Sequence, residues 1–283
     1  LAGASAATTV LASPLKALYA KQANGLSSQG GGYGELVTDP NGLLELPRGF
    51  QYRAFSRTGD LMNDGSTVPG AHDGMAAFPG PNNTVILVRN HELGPNAATQ
   101  VVGSPKYDPI CKAGTTTLIV GPNRELLTHY GSLSGTIRNC AGGPTPWGSW
   151  ISCEEDVSTP QSNAALTKQH GYNFEVPANA QGLVNPEPLI AMGRFNHEAV
   201  AVDPRTGFVY QTEDRGDGLF YRFIPNQPGK LKAGGILQAL VMTGKPQVNT
   251  NNRSTQTIPP GQPMQVEWVT IDNPNPDNDN APS

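Results

Sequence analysis

Apolar positions along this chain fall in short runs that break at Gly, Pro, Asn and Asp, the spacing of strands rather than of helices. The clearest stretch is 194–223. Ala199 to Val202 and Phe208 to Thr212 flank the turn Asp203-Pro204-Arg205-Thr206-Gly207, and Leu219 to Phe223 follows Gly216-Asp217-Gly218. This predicts three antiparallel strands in a meander. Asn196, His197 and Glu198 enter the first strand while Glu213, Asp214 and Arg215 leave the second, so antiparallel pairing gathers acidic side chains at one edge of the sheet.

The same order of polar entry, apolar strand, turn, apolar strand and acidic exit recurs. His72 to Phe78 and Val85 to Val88 lead to Arg89-Asn90-His91-Glu92, and Pro144-Thr145-Pro146 followed by Trp147 to Ser152 leads to Cys153-Glu154-Glu155-Asp156. The exits at Glu92, Glu154 and Glu213 are 62 and 59 residues apart. A near-constant period built from short strands predicts an all-β fold, a β-propeller whose blades aim one strand end at a common axis. Further strands are predicted at Phe50 to Ala54, Gly114 to Val120, Arg124 to Tyr130, Tyr172 to Val176, Gly235 to Thr243 and Val266 to Ile271, with Gly135 to Gly143 as a lead-in loop. That makes three to four blades, where a ring closes with about 4–8, so an incomplete ring is expected. The domain organisation read from this is an N-terminal segment over 1–25, a Gly/Ser-rich linker over 26–45 and propeller blades over 46–283.

Composition agrees: 33 Gly and 26 Pro with 15% charged residues suit many strands and turns. A net charge of -4 with no Lys/Arg cluster argues against nucleic-acid and anionic-membrane partners, which require a concentrated positive surface. The small-residue stretch Leu1 to Ala20 reads as the remnant of an export signal, and no other run is apolar enough to span a bilayer. Export would permit a Cys111–Cys140 bridge, leaving Cys153 as a free thiolate; the alternative leaves all three unpaired, with Cys153 a small buried apolar residue. Phosphate-loop, dinucleotide and Gly-x-Ser-x-Gly motifs are absent.

Carboxylates gathered at a propeller mouth repel one another unless a cation neutralises them. Oxygen donors suit calcium or magnesium, and a thiolate from Cys153 with imidazole from His91 or His197 suits iron or zinc. Taken singly, each strand-end carboxylate is more simply a solvated charge; the recurrence is what singles the set out. Adjacent residues of a strand face opposite ways, so one member of each pair His91/Glu92 and His197/Glu198 reaches the axis while the other packs inside. Trp147 and Trp150 fill the space between blades, and His129 and His170, with no acidic companion in sequence, read as structural.

Gly142-Gly143-Pro144-Thr145-Pro146-Trp147-Gly148-Ser149-Trp150-Ile151-Ser152-Cys153-Glu154-Glu155, with Val88-Arg89-Asn90-His91-Glu92 before it and Arg194-Phe195-Asn196-His197-Glu198 and Thr212-Glu213-Asp214 after it, resembles the PhoX-type alkaline phosphatase family. The resemblance runs from about Leu46 to Ile271. It implies a six-bladed propeller with insertions, carried to the periplasm by a twin-arginine signal, that hydrolyses phosphate monoesters with iron and calcium. Cys153 and Glu213 would then be iron ligands, and Glu92, Glu154 and Glu198 ligands on the calcium side. Arg215 is the candidate phosphate contact, because a guanidinium grips two oxygens at once. A monomer is expected, inactive alone if later blades carry further ligands. The competing readings are a calcium-dependent propeller lactonase or esterase, which needs no thiolate, and a propeller that only binds.

Overall fold

The computed structural model describes residues 33–245, 247–251 and 258–277, so the export-signal expectation for 1–25 lies outside the described residues. The chain divides into two compact units, 1–54 and 55–283. In the first unit, β1 (Leu36–Val37) and β2 (Leu46–Pro47) form an antiparallel pair. The turn between them is organised by Asp39, whose carboxylate accepts the Tyr52 hydroxyl (2.5 Å) and the amides of Asn41, Leu43 and Leu44. These donors, the tyrosine hydroxyl foremost, hold the carboxyl well below the usual carboxylate range. The strand predicted over Phe50 to Ala54 does not form. Alternation marks a face, but a strand also needs a ladder partner, and none runs beside this segment among the described residues.

The second unit is built from antiparallel sheets. β3 (His72–Pro79), β4 (Val85–His91), β5 (Ala113–Val120) and β6 (Leu126–Thr136) make a four-stranded meander. β7 (Asn139–Pro144), β8 (Ser149–Glu154) and β9 (Asn173–Pro177) make the next sheet, and β10 (His197–Val202), β11 (Val209–Glu213), β12 (Phe220–Pro225), β13 (Gly235–Met242) and β14 (Val266–Thr270) the third. Strand order follows chain order in every sheet, as propeller blades require. Among the described residues the helical content is three short 3-10 turns, and no helix is long and apolar enough to cross a membrane.

Blades pack face on face through two apolar layers. Phe78, Ile86, Val88 and Leu133 of the first sheet meet Trp150, Phe174 and Val176 of the second. Ile151 and Cys153 of the second meet Val200, Val209, Tyr221, Phe223 and Leu237 of the third, with Met192 and Phe195 closing the layer. Each large side chain buried there contributes about 1.5–3 kcal/mol. Polar side chains inside these layers are matched: the Asn90 amide donates to the carbonyls of Cys140 (3.1 Å) and Ala141 (2.7 Å), while its oxygen accepts from Trp150 Nε1 (2.9 Å) and Ser152 Oγ (2.8 Å). One residue thereby ties the first blade to the second, and its four bonds offset the cost of burying it. Trp150 accordingly fills the space between blades.

The sequence reading missed β7, taking Asn-Cys-Ala-Gly-Gly as loop. It is the innermost strand of its blade, and its glycines are there for close approach. A Cβ at Gly143 would run into the Val200 carbonyl of β10, and one at Gly74 of β3 would stand 2.7 Å from the Ala141 Cα of β7. The three first strands can lie against one another only because these positions carry no side chain.

Candidate metal centre

Each blade opens with the same irregularity. His72 pairs with His91, Asn139 with Glu154 and His197 with Glu213; the ladder then slips, resuming at Met75, Gly142 and Val200. In each slip two residues of the first strand oppose one of the second: Asp73 and Gly74 against Asn90, Cys140 and Ala141 against Cys153, Glu198 and Ala199 against Thr212. These are β-bulges, which bend a strand and re-aim a side chain. The bulge places Asp73, Cys140 and Glu198 at equivalent points of three blades. One residue beyond the paired end of each second strand stand Glu92, Glu155 and Asp214, 63 and 59 residues apart.

These groups converge. Ligand atoms of Glu155, Glu198 and Asp214 all lie within 4.8 Å of one another. The Cys140 thiol stands 3.7 Å from Glu198 Oε2 and points at the His197 carbonyl (3.3 Å). Arg138, at a left-handed φ of 46° just before the bulge, donates to Glu92 Oε1 (2.8 Å) and Glu155 Oε2 (2.6 Å), bridging two blade exits with one cation. Burial raises the Glu198 carboxyl, and Glu155, Asp214 and Asp73 push it further up; burial likewise raises Glu92, with Glu155 and Asp73 adding to it against Arg138. Burial also pushes the Cys140 thiol up. Such a set is short of positive charge and rich in donors: clustered oxygens for a hard cation beside a thiol for a softer one.

Of the residues marked in the sequence, Glu92 and Glu198 are in this group. Glu154 faces the other way: it is fully buried, its Oε1 accepting from Ile137 N (3.0 Å) and His170 Nδ1 (2.8 Å), its Oε2 from Gly171 N (2.9 Å) and Tyr172 N (3.2 Å). Cys153 lies in the apolar layer between the second and third blades, where burial holds its thiol far above the ordinary range. Glu213 is also turned inward. Its Oε2 accepts from Leu219 N (3.0 Å) and Tyr221 Oη (3.1 Å), its Oε1 is buried without a partner, and burial raises its carboxyl. Arg215 is engaged by Asp217, Nε to Oδ1 at 3.0 Å and Nη2 to Oδ2 at 3.3 Å. His91 and His197 pack inside while their neighbours Glu92 and Glu198 join the cluster, as strand alternation demands.

Four ligand groups at the mouth, beside the bridging Arg138, escaped the sequence reading: Asp73, Cys140, Glu155 and Asp214. The signal for the last two was present, since the pairs Glu154-Glu155 and Glu213-Asp214 repeat His91-Glu92 with the axial residue second. The bridge between Cys111 and Cys140 does not form; all three cysteines are free, and Cys111 faces His170 while Cys140 faces Glu198.

The family model for Alkaline phosphatase PhoX matches residues 31–283. Curated protein sequences give no match. Among solved structures, Pseudomonas fluorescens PhoX in complex with vanadate, a transition state analogue, is similar at 16% identity with a TM-score of 0.53, over 80% of this chain and 56% of that one. This chain thus spans little more than half the length of that protein, and the likeness establishes the propeller fold. With the family match extending over nearly the whole sequence, the chain belongs to the PhoX alkaline phosphatase family.

Proposed function

We propose that the chain hydrolyses phosphate monoesters at an iron and calcium centre held at the mouth of the blades. The observation that carries this reading is the triple bulge, which together with the exits of the three second strands gathers a thiol and five carboxylates at one end of three adjacent blades. Cys140 and Glu198 are the proposed iron side. Asp73, Glu92, Glu155 and Asp214 are proposed to hold calcium, with Glu198 shared between the two ions. This retains Glu92 and Glu198 from the sequence set and prefers Cys140, Glu155 and Asp214 to Cys153, Glu154 and Glu213, whose side chains face inward. Bound cations would supply Lewis acidity toward phosphoryl oxygens and acidify a water, so no nucleophilic side chain is needed.

The protein's own part is placement. Arg138 fixes Glu92 and Glu155 relative to one another, and the bulges fix Cys140 and Glu198 on rigid strands rather than on loops. Arg215, one residue beyond Asp214, is proposed to take a phosphate oxygen by exchanging Asp217 for it. Similarity to a protein solved with vanadate supports phosphate-ester chemistry over lactone hydrolysis, and the composition of Leu1 to Ala20 supports export to the periplasm. The test is metal analysis of the purified chain beside turnover of an aryl phosphate and of a lactone. Iron with calcium, both diminished in Glu198→Gln, is the expected result; calcium alone with lactone turnover would overturn it.

A further inference from the structure

A second donor cluster lies on the inward side of Glu154 and has no part in the chemistry above. Asp108, Cys111 and His170 are fully buried, and their ligand atoms lie within 4.8 Å of one another. His170 Nε2 is 3.6 Å from Cys111 Sγ and 3.6 Å from Asp108 Oδ2. An N–H to carboxylate hydrogen bond is about 2.7–3.2 Å long, so the imidazole makes none to Asp108. Around tetrahedral zinc, with bonds of about 2.3 Å to sulfur and about 2.0–2.2 Å to nitrogen and oxygen, neighbouring donors stand about 3.3–3.6 Å apart. The two separations from His170 Nε2 match such edges.

The surroundings are those of a metal site as well. His170 Nδ1 donates to Glu154 Oε1 at 2.8 Å, which turns Nε2 toward Cys111 and Asp108 and makes the ring more basic; carboxylate-oriented histidines of this kind are the usual support of zinc ligands. Asp108 is held by three amides, Ile110 N on Oδ1 (3.2 Å) and Thr167 N (2.7 Å) and Lys168 N (3.0 Å) on Oδ2. Ile137 and Leu166 pack around Cys111, and the Tyr107 ring meets His170 edge-on at 5.3 Å, which shields the cluster from bulk solvent. The Arg194 guanidinium donates to the His170 carbonyl (2.8 Å), which fixes the backbone of that residue.

We infer that Asp108, Cys111 and His170 supply three ligands of a structural zinc ion, a water completing the tetrahedron, with Glu154 orienting the histidine. The ion staples two long connectors, 92–112 between β4 and β5 and 155–172 between β8 and β9, which otherwise lack regular structure. Glu154 and Glu155, neighbours in sequence, then belong to different centres. The inference stands apart from the proposed function, because none of its three ligands faces the blade mouth.

The full-length chain is loaded with cadmium-113 as a zinc surrogate, dialysed against chelator and examined by cadmium–proton correlation NMR. A retained cadmium resonance coupled to Cys111 Hβ and to the His170 ring is expected. Cadmium coupled only to Cys140, or to no thiol, overturns the site. In parallel, zinc per chain is measured for the parent and for Cys111→Ser, His170→Gln and Cys140→Ser. About one chelator-resistant zinc should persist in the parent and in Cys140→Ser and be lost from the other two. Retention in Cys111→Ser overturns the assignment, and if that variant fails to fold, the cadmium spectrum of the parent decides alone.

Discussion

Glu154 and Glu155 are joined by one peptide bond and live in opposite worlds. Every lone pair that Glu154 offers is engaged, by three amides and an imidazole, inside a wall with no solvent. Glu155 reaches the blade mouth, where Arg138 meets one of its oxygens and Glu198 and Asp214 crowd it. The inward cluster is closed, its carboxylates held by backbone amides and shielded from solvent; the outward cluster is open, with donors in excess of the protons and cations that the chain supplies. Both contain a cysteine and carboxylates, so composition does not separate them. Satisfaction does: a centre that must admit substrate keeps donors exposed, and a structural centre buries them.

The sharpest way to break this contrast is to exchange the two neighbours. Glu154→Ala leaves His170 and the amides of Ile137, Gly171 and Tyr172 unpaired in the interior and should cost about 3–5 kcal/mol in urea unfolding. Next in size is Gly143→Ala. Its new methyl meets the Val200 carbonyl and must push β7 from β10, so a loss of about 1–3 kcal/mol is expected in the same assay, with weaker divalent-ion binding at the mouth.

Acid should separate interior from mouth more gently. Burial lowers His91 and His197 from the ordinary 6.5 to about 3, and both are neutral in the folded chain. Because these folded-state values lie below the unfolded ones, their contribution is complete above about pH 6.5 and is lost as pH falls toward about 3. The urea midpoint should therefore fall between about pH 7 and about pH 4; a constant midpoint would contradict the buried neutral rings. The smallest effect belongs to Glu155→Gln, which should change stability by less than about 1 kcal/mol while lowering calcium affinity measured by titration calorimetry.

Much of the fold was legible because short strands leave a clean trace. The meander over 194–223 became β10 to β12, and the acidic period located the second strand of each blade. What was not legible was register. The period was read on Glu92, Glu154 and Glu213, whereas the structural repeat runs through Glu92, Glu155 and Asp214. In a strand a shift of one residue exchanges the two faces, so that single step moved two predicted ligands from the mouth to the interior. Cys140 was hidden for a related reason: Asn-Cys-Ala-Gly-Gly has the composition of a loop, and only contact with neighbouring strands explains its glycines. His170 read as lacking an acidic companion because Glu154 and Asp108 approach it across long connectors that no local pattern announces.

The central claim is that Cys140, at the bulge of the second blade, is the thiol of the functional centre and that Cys153 is a buried apolar residue. Iron content of Cys140→Ser and Cys153→Ser, each measured beside aryl phosphate turnover, tests it most directly. The account predicts that Cys140→Ser loses iron and any turnover while keeping its β-sheet spectrum, and that Cys153→Ser keeps iron per folded chain despite lower stability. Iron retained in Cys140→Ser and lost from Cys153→Ser would contradict it.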